Sequence, residues 1–520
     1  MQQHARTRAA LPDTEAFRLR GFVERLAEAG MLDDVAEKTP LNAMAARLDE
    51  NPRAVRFRAA GPEAAEVVGN VMGSGDRIAL AFGVSRGEMS AEVMRRLADP
   101  QPVVEIPSAD APVHRTVLEG DAADLTRLPV HLQHEKDGGP YISAAIDYSV
   151  DPHTGHRNVG VRRLMLRGPR ETGVDMVAPS DLQAIYRKPS AAGERLPISF
   201  VIGAHPTDYV AAAARVPTDE LALVAAMRGA PLPVVRCVTN DLLVPADAEM
   251  VLEGYLDGRG WYEPEGPYGE YLGYYGVMKT NPVFRLTAIC ARRDALFQTV
   301  TISGRRLDRT ETANLGTVRT EVGVWNALRS AVREPVAVFA TASSGGTFNV
   351  RVALRQRVPG EARNAIAAVF GTIENVKHVF VVDEDIDVGS DAQIDWALST
   401  RFQADRDLVV AGGFRAMPLD PSLGGSRTGA KAGFDLTLPF GARDRLDLSV
   451  PAPPKPSGPA RFRTVRAALE AGPLFFGEIV AAMGSDDGRE AVREMHALRE
   501  EGVLGRTEEG RYALTVKESP

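Results

Sequence analysis

The feature that most constrains the fold is a run of strand-like segments in the middle of the chain. Period-2 alternation and short apolar runs between turn residues are typical of β-strands. These segments are residues 141–150, 157–168, 198–203 and 233–256, with two more within 282–300. A single helical pattern, residues 219–229, lies among them. Many strands with one interleaved helix favour a barrel, so we expect a β-barrel-like domain over roughly residues 130–310.

The flanking regions have different patterns. Residues 16–29 carry apolar side chains at helical spacing, and a helix-rich segment is expected to about residue 100. Strands and helices alternate over about 320–440, which favours an α/β layer. A proline-rich linker, PAPPKPSGPA, precedes three helical segments and a short hairpin, the pattern of a winged helix.

These patterns predict a multidomain α+β and α/β protein with four parts. The expected domains are an N-terminal α+β domain (1–125), a split β-barrel (126–315), a C-terminal α/β domain (316–450) and a winged-helix-like domain (458–520).

Composition excludes several protein classes. The chain of 520 residues has only two cysteines, so it is not a disulfide scaffold. Its first residues lack the apolar core of a signal peptide, and no run of 18 apolar residues occurs; we therefore expect a cytoplasmic protein without a membrane span. The net charge of −8 argues against a general nucleic-acid binder.

Two motifs carry residues suited to chemistry. In EPEGPYGEYLGYYG, Glu265 and Glu270 lie in a kinked Gly/Pro-rich turn, and paired carboxylates in a dry site split their pKa values. A solvated acidic turn is the simpler interpretation on composition alone.

In RNVGVRRLMLRG, Arg162 and Arg163 are neighbours in a strand, so one of them should point inward and need an anion.

Other motifs are weaker. The segment SLGGSRTGAKAGFDLT, with Lys431, is rich in glycine but lacks the order of a P-loop, and a flexible loop is the simpler interpretation. The histidines and cysteines form no HxH, HExxH or CxxC pattern, so contiguous motifs predict no zinc site.

Nine strings taken in order resemble the UbiD family of reversible decarboxylases, which use prenylated FMN. They lie within residues 15–440 and include NVMGSGDRIALAFG, NVGVRRLMLRG, PEGPYGEYLGYY and GAKAGFDLT. The resemblance implies a catalytic set of Arg163, Glu265 and Glu270, in which Arg163 binds the substrate carboxylate and Glu270 donates the proton.

The resemblance also implies a cofactor site. A divalent metal, Mn²⁺ or Mg²⁺, with K⁺ nearby would hold the flavin phosphate. Its ligands would be Asn158, Glu220 and Asp181, the last standing where the family has a histidine. The implied cofactor-binding residues are Asn158, Val161, Arg162, Arg163, Ser180, Asp181, Glu220 and Lys431.

By this resemblance the chain decarboxylates an aromatic, heteroaromatic or α,β-unsaturated acid and releases CO₂. A flavin prenyltransferase would supply the cofactor, and the body would assemble as a homodimer or homohexamer. The tail adds nine Lys and Arg but eleven Asp and Glu over residues 456–520, which favours a protein contact over DNA binding. The alternatives are a DNA-binding regulator that senses a small acid, or a cofactor-free assembly partner of a multi-subunit carboxylase.

Overall fold

The computed structural model describes residues 11–176, 179–214, 218–372, 374–442, 451–455 and 457–515. The parts of the predicted domains and linker at residues 1–10, 443–450, 456 and 516–520 lie outside this description. The chain divides into two units, Met1–Phe440 and Gly441–Pro520, each described by itself below.

The N-terminal region contains helices and strands, as the expected α+β domain requires, but its first hundred residues are less purely helical than the periodicity indicated. Its helices are α1 (Leu19–Glu28), α2 (Leu41–Glu50), α3 (Gly75–Phe82) and α4 (Met89–Leu97). Its strands are β1 (Leu32–Val35), β2 (Ala54–Ala60) and β3 (Ala65–Gly69). These strands form a sheet in the order β1, β2, β3, with the later strand Phe297–Gln298 at its edge. These strands are short and lie between segments with helical spacing. Periodicity alone therefore did not separate them from the helices.

The middle region contains most of the strands. They are β4 (Val103–Glu105), β5 (Thr116–Glu119), β6 (Tyr141–Val150), β7 (Arg157–Gly168), β8 (Glu171–Val174), β9 (Leu196–Ile202), β10 (Leu232–Arg236), β11 (Leu243–Pro245), β12 (Met250–Leu256), β13 (Glu263–Glu265), β14 (Tyr268–Gly269), β15 (Tyr275–Gly276), β16 (Lys279–Asn281), β17 (Val283–Ala291) and β18 (Phe297–Gln298). Its helices are α5 (Asp181–Ala191), α6 (Pro206–Ala213) and α7 (Glu220–Arg228).

Six of these strands close into a barrel, as the strand pattern predicted. They pair in the order β12, β9, β6, β7, β8 and β17, and β17 pairs back with β12. The rings of Phe200 and Phe284 meet edge to face inside, with centroids 5.0 Å apart. Strand β6 is buried at nine of its ten positions, because its two faces pack against different layers.

The C-terminal part of the first unit is the expected α/β layer. Its helices are α8 (Glu311–Ala331), α9 (Glu361–Phe370), α10 (Asp391–Arg401) and α11 (Ala404–Asp407). Its strands are β19 (Pro335–Ala340), β20 (Asn349–Leu354), β21 (His378–Asp383), β22 (Leu408–Arg415) and β23 (Thr428–Asp435), paired in the order β19, β20, β21, β23, β22. The expected domain boundary at residues 315 and 316 falls inside α8, which is one continuous helix.

The second unit contains the three helices and the hairpin that the sequence predicted. They are α12 (Val465–Glu470), α13 (Phe476–Ala482), α14 (Arg489–Glu500), β24 (Leu504–Arg506) and β25 (Tyr512–Leu514). A bridge from Leu474 to Tyr512 adds a third segment to the antiparallel hairpin. The assignment of this unit to the winged helices stays a prediction.

We expect Gly254→Ala to destabilise the barrel. A Cβ at Gly254 would lie 2.7 Å from the Phe284 ring and nearer still to the carbonyl of Arg285. Overpacking of this kind costs roughly 1–3 kcal/mol of unfolding free energy. Gly168→Ala in β7 is the matched control, since a Cβ there meets nothing within 4 Å. Thermal and urea unfolding measure the difference, and equal stability of the two variants would contradict the prediction.

Candidate active site

Strand β7 presents its two adjacent arginines to different surroundings, as the alternation of a strand requires. Arg162 pairs with the buried Asp147, with 2.9 Å between Nε and Oδ1, and donates to Ser180 Oγ at 3.4 Å. Arg163 contacts neither of these residues and meets a separate group of carboxylates. The strand pattern predicted that one of the two arginines points inward towards an anion. Arg163 is the one that contacts the acidic turn.

Arg163 lies within a cluster of acidic side chains. Its two terminal nitrogens contact the two carboxylate oxygens of Glu270, each at 3.1 Å. One of them also lies 3.1 Å from Asp175 Oδ2, and Nε lies 3.5 Å from Glu265 Oε1. The guanidinium carbon lies 4.3 Å from the centre of the Tyr268 ring. The structure thus brings the three predicted catalytic residues together.

The acidic turn fixes the two glutamates. Glu265 ends β13 and is 1% exposed, while Glu270 follows β14 and is 6% exposed. Between them Gly266 has φ of +98°, a conformation that favours glycine. A Cβ at Gly276 would lie 2.8 Å from Glu270 Oε1, so only a glycine leaves that oxygen room. The turn is therefore a buried, shaped element and not a solvated acidic loop.

Sequence reasoning missed two members of this cluster, Asp175 and Lys279. Lys279 Nζ lies 3.0 Å from Asp175, 3.8 Å from Glu270 and 3.9 Å from Glu265. Strand β16 places Lys279 directly opposite Glu265 on β13. For Lys279, the sequence showed only that a lysine follows the acidic turn. The register of two very short strands, β13 and β16, is what brings this lysine to the acids.

The charges in the cluster stabilise one another. Burial alone disfavours the charged form of Arg163, but Asp175, Glu270 and Glu265 outweigh it and raise the pKa of the guanidinium. Burial also disfavours the Asp175 carboxylate, yet Arg163 and Lys279 lower its pKa. The cluster counts three carboxylates and two cations, so an added carboxylate would compete for the same donors.

A cleft of about 940 Å³ runs along the other side of β7. Its lining includes the segment from Asn158 to Arg162, Ser180 and Asp181 at the start of α5, and Glu220 at the start of α7. Arg319 and Arg415 from the C-terminal part also line it. Arg163, Glu265 and Glu270 do not line this cleft, although Tyr271, next to Glu270, does.

The oxygen groups in the cleft suit a hard divalent cation. Asn158 donates through Nδ2 to Asp147 Oδ2 at 2.5 Å, so its amide oxygen is the atom that can bind a cation. Glu220 accepts from the backbone of Val159. Burial, together with the charges of Asp147 and Asp181, raises the pKa of Glu220 to about 7. A cation that relieves this repulsion fits the site, and carboxylate and amide oxygens are ligands that Mn²⁺ and Mg²⁺ accept.

The flexible-loop interpretation of the segment around Lys431 is wrong. Lys431 lies within strand β23, and its Nζ donates to the carbonyl of Phe370 at 2.7 Å. The ammonium group also lies 5.1 Å from the centre of the Phe414 ring, and burial lowers its pKa. Lys431 lines a small neighbouring pocket that shares Arg415 and Met417 with the cleft. The guanidinium groups of the cleft itself come from Arg162, Arg319 and Arg415.

Sequence models of three domains of one family match this chain in order. The N-terminal domain of 3-octaprenyl-4-hydroxybenzoate carboxy-lyase matches residues 23–97. Its Rift-related domain matches residues 104–306, and its C-terminal domain matches residues 313–436. The chain belongs to the UbiD family.

Relatives support this assignment along the same length. Anhydromevalonate phosphate decarboxylase of Methanosarcina mazei is 30% identical over 435 residues, which is 83% of this chain and 98% of the relative. The enzyme of the same name from Methanothermobacter thermautotrophicus is 28% identical over 431 residues, 82% of this chain and 98% of the relative. This UbiD-type protein is therefore a carboxy-lyase.

Solved structures agree. The UbiD-class enzyme HmfF from Pelotomaculum thermopropionicum, in complex with FMN, is 32% identical with a TM-score of 0.79, covering 84% of this chain and 97% of that one. An evolved dimeric form of HmfF carries prenylated FMN. Vanillic acid decarboxylase of Sedimentibacter hydroxybenzoicus, in its open form, is 28% identical with a TM-score of 0.76, covering 85% and 97%. The predicted fold and family are confirmed.

Two further observations bear on the sequence predictions. The family match ends at residue 436, so the second unit lies beyond it. In the part of the chain that the structure describes, no helix has the length and apolar character needed to cross a membrane.

We expect Glu220→Gln to weaken Mn²⁺ binding, because the amide cannot supply the negative charge that attracts the cation. Loss of a ligand should lower the affinity at least about tenfold, the lower end of what even an outer-shell change costs. The exposed Glu194→Gln is the control. Calorimetric titration of the full chain with Mn²⁺ measures both, and equal affinities would remove Glu220 from the metal site.

Proposed function

We propose that this UbiD protein is a prenylated-FMN-dependent, non-oxidative decarboxylase of an aromatic, heteroaromatic or α,β-unsaturated carboxylic acid. The observation that carries the proposal is the contact of buried Arg163 with both Glu265 and Glu270. A regulator that only senses an acid needs Arg163 to bind that acid. Such a regulator does not need two buried carboxylates within hydrogen-bond distance of the arginine.

The flavin would occupy the cleft along β7. Arg162, Ser180 and Val161 line it and would contact the cofactor. Asn158, Glu220 and Asp181 would hold the phosphate through Mn²⁺ or Mg²⁺, with K⁺ nearby. When bound, prenylated FMN supplies the electron sink that an sp² carbon needs in order to lose CO₂. HmfF, which shares the fold, binds FMN and prenylated FMN.

Arg163 would bind the carboxylate that is lost. Its terminal nitrogens already hold the two oxygens of Glu270 in parallel, the geometry that a guanidinium offers to any carboxylate. A substrate carboxylate at this position displaces Glu270 from those donors. Glu265 and Asp175 stay against Arg163 and keep it charged.

Glu270 would then become the proton donor. Once displaced from Arg163, its carboxylate would take up a proton. After CO₂ leaves, Glu270 gives its proton to the carbon that carried it and can pair again with Arg163. The reverse, carboxylating direction uses the same groups. Tyr141 and Tyr268, 2% and 1% exposed, exclude water from this side of the barrel.

The relatives bear on the substrate class. Two that match over nearly their whole length are named for anhydromevalonate phosphate, an acid that also carries a phosphate. Arg415 and Arg319 line the cleft, where Arg319 is already paired with Glu374 at 2.6 Å, and Lys279 stands beside the acids. These cations are compatible with a substrate that carries a second anionic group. A homo-oligomeric assembly and a flavin prenyltransferase that supplies the cofactor are also part of the proposal.

Glu270→Gln should abolish turnover while the flavin spectrum of the purified protein is retained. General acids contribute roughly 10²- to 10⁴-fold to rates, and glutamine has no acidic proton. Glu263→Gln, in the same turn region but only half-buried, is the control. CO₂ release from a panel of acids, after co-expression with a flavin prenyltransferase, measures the rates. Turnover by Glu270→Gln at the control rate would rule Glu270 out as donor.

Lys279→Met should raise KM more than it lowers kcat. Removing this cation leaves three carboxylates facing Arg163 alone, which repels an anionic substrate, and a hydrogen bond to a charged group is worth about 1.5–3 kcal/mol, or roughly tenfold or more in affinity. The exposed Lys188→Met serves as control. Steady-state kinetics separate the two constants. An unchanged KM would show that Lys279 only supports the fold.

A further inference from the structure

Both cysteines of the chain lie beside one buried carboxylate, that of Glu253. Cys290 lies in β17 and Cys237 directly follows β10, 53 positions earlier. Both are buried free thiols. Cys290 Sγ lies 3.3 Å from Glu253 Oε1, and the Cys237 thiol interacts with the same carboxylate. None of these residues lines the cleft along β7.

A histidine completes this cluster. His114 lies in the short 3-10 helix Pro112–Arg115. Its Nδ1 is 2.8 Å from Ser108 Oγ, while its Nε2 is buried without a hydrogen-bond partner. One ligand atom from each of His114, Glu253 and Cys290 lies within 4.8 Å of the others. Among the described residues, no other group of three or more His, Cys, Asp and Glu side chains converges in this way.

The hydrogen bonds around the cluster have the pattern of an outer shell. Ser108 can accept the Nδ1 proton of His114, which leaves the Nε2 lone pair directed inward, as metal-binding histidines require. Glu253 accepts from the backbone N–H groups of Val238 and Thr239 at 2.9 and 2.7 Å and from the Thr239 hydroxyl at 2.8 Å. These donors offset the negative charge that a thiolate and a carboxylate would bring.

Donor chemistry selects the ion. Imidazole nitrogen and thiolate sulfur with one carboxylate suit Zn²⁺ and exclude Mg²⁺ and Ca²⁺, which prefer oxygen. In a tetrahedral zinc site, bonds of about 2.3 Å to sulfur and 2.0–2.2 Å to oxygen place those two atoms about 3.5 Å apart. The observed separation of Cys290 Sγ and Glu253 Oε1 is 3.3 Å.

We propose that His114, Glu253 and Cys290 bind Zn²⁺. Binding forms the bond to sulfur and releases the thiol proton to solvent, without redox change. The three ligands come from the 3-10 helix, β12 and β17, so the ion joins segments that are far apart in sequence. Its role is structural, because Glu253 and Cys290 are buried and none of the three residues lines the cleft along β7.

The test uses the full chain, purified without chelator or added cofactor. Metal analysis should find one zinc per chain, and replacement by Co²⁺ should give the thiolate-to-cobalt charge-transfer absorption. His114→Gln should lose the zinc and lower the melting temperature. The exposed His156→Gln should keep both at the level of the unaltered chain. Glu220→Gln should also keep the zinc, which separates this site from the metal of the cleft.

The cobalt spectrum of the unaltered chain keeps the proposal falsifiable even if His114→Gln fails to fold. Absence of the charge-transfer absorption, after Co²⁺ is offered to metal-free protein, would overturn it and leave the cluster as a hydrogen-bonded core. Zinc retained in full by His114→Gln would overturn it as well.

Discussion

The site depends on one constraint: a buried guanidinium must be paired. An ion removed from water without a partner costs several kcal/mol, and Arg163 is 11% exposed at its side chain. Its partners come from two segments: Asp175 follows β8, and Glu265 and Glu270 lie in the acidic turn. Closure of the barrel is what brings these segments together. The arrangement that stabilises Arg163 in the folded chain is therefore also the one that can exchange a protein carboxylate for a substrate carboxylate.

Strand β7 contributes residues both to the cleft proposed for the cofactor and to the acidic cluster proposed for proton transfer. Along β7, Asn158 and Arg162 belong to the cleft, where oxygen ligands and guanidinium groups suit a cofactor phosphate and its metal. Arg163, one residue on, belongs to the acidic cluster. Because neighbouring residues of a strand point to opposite faces, Arg162 and Arg163 enter different surroundings. Cofactor binding and proton transfer can thus be tuned by different residues.

How far the sequence predicted this site depends on how local each contact is. Strand alternation and the Gly/Pro-rich turn are local patterns, so Arg163, Glu265 and Glu270 could be chosen from the sequence alone. Asp175 and Lys279 could not, because they reach the cluster only through the register of strands as short as three residues. The segment around Lys431 was assigned wrongly for the opposite reason: a glycine-rich string looked like a loop, yet pairing with β22 makes it a strand. The β1–β3 layer was missed because its strands are short and lie between clear helices.

Strand β12 has a special position in this fold, because its pairing with β17 closes the barrel. At the same point the ladder is irregular: the register shifts between Glu253 and Gly254, where the nearby Phe284 ring and Arg285 carbonyl leave no room for a side chain on Gly254. A closing seam with an irregular ladder has fewer regular hydrogen bonds to hold it. Glu253 and Cys290 lie one on each strand of that seam, so a metal ion bound by both would reinforce the closure on which the pairing of Arg163 rests. The cluster would then act on catalysis only through the stability of the barrel.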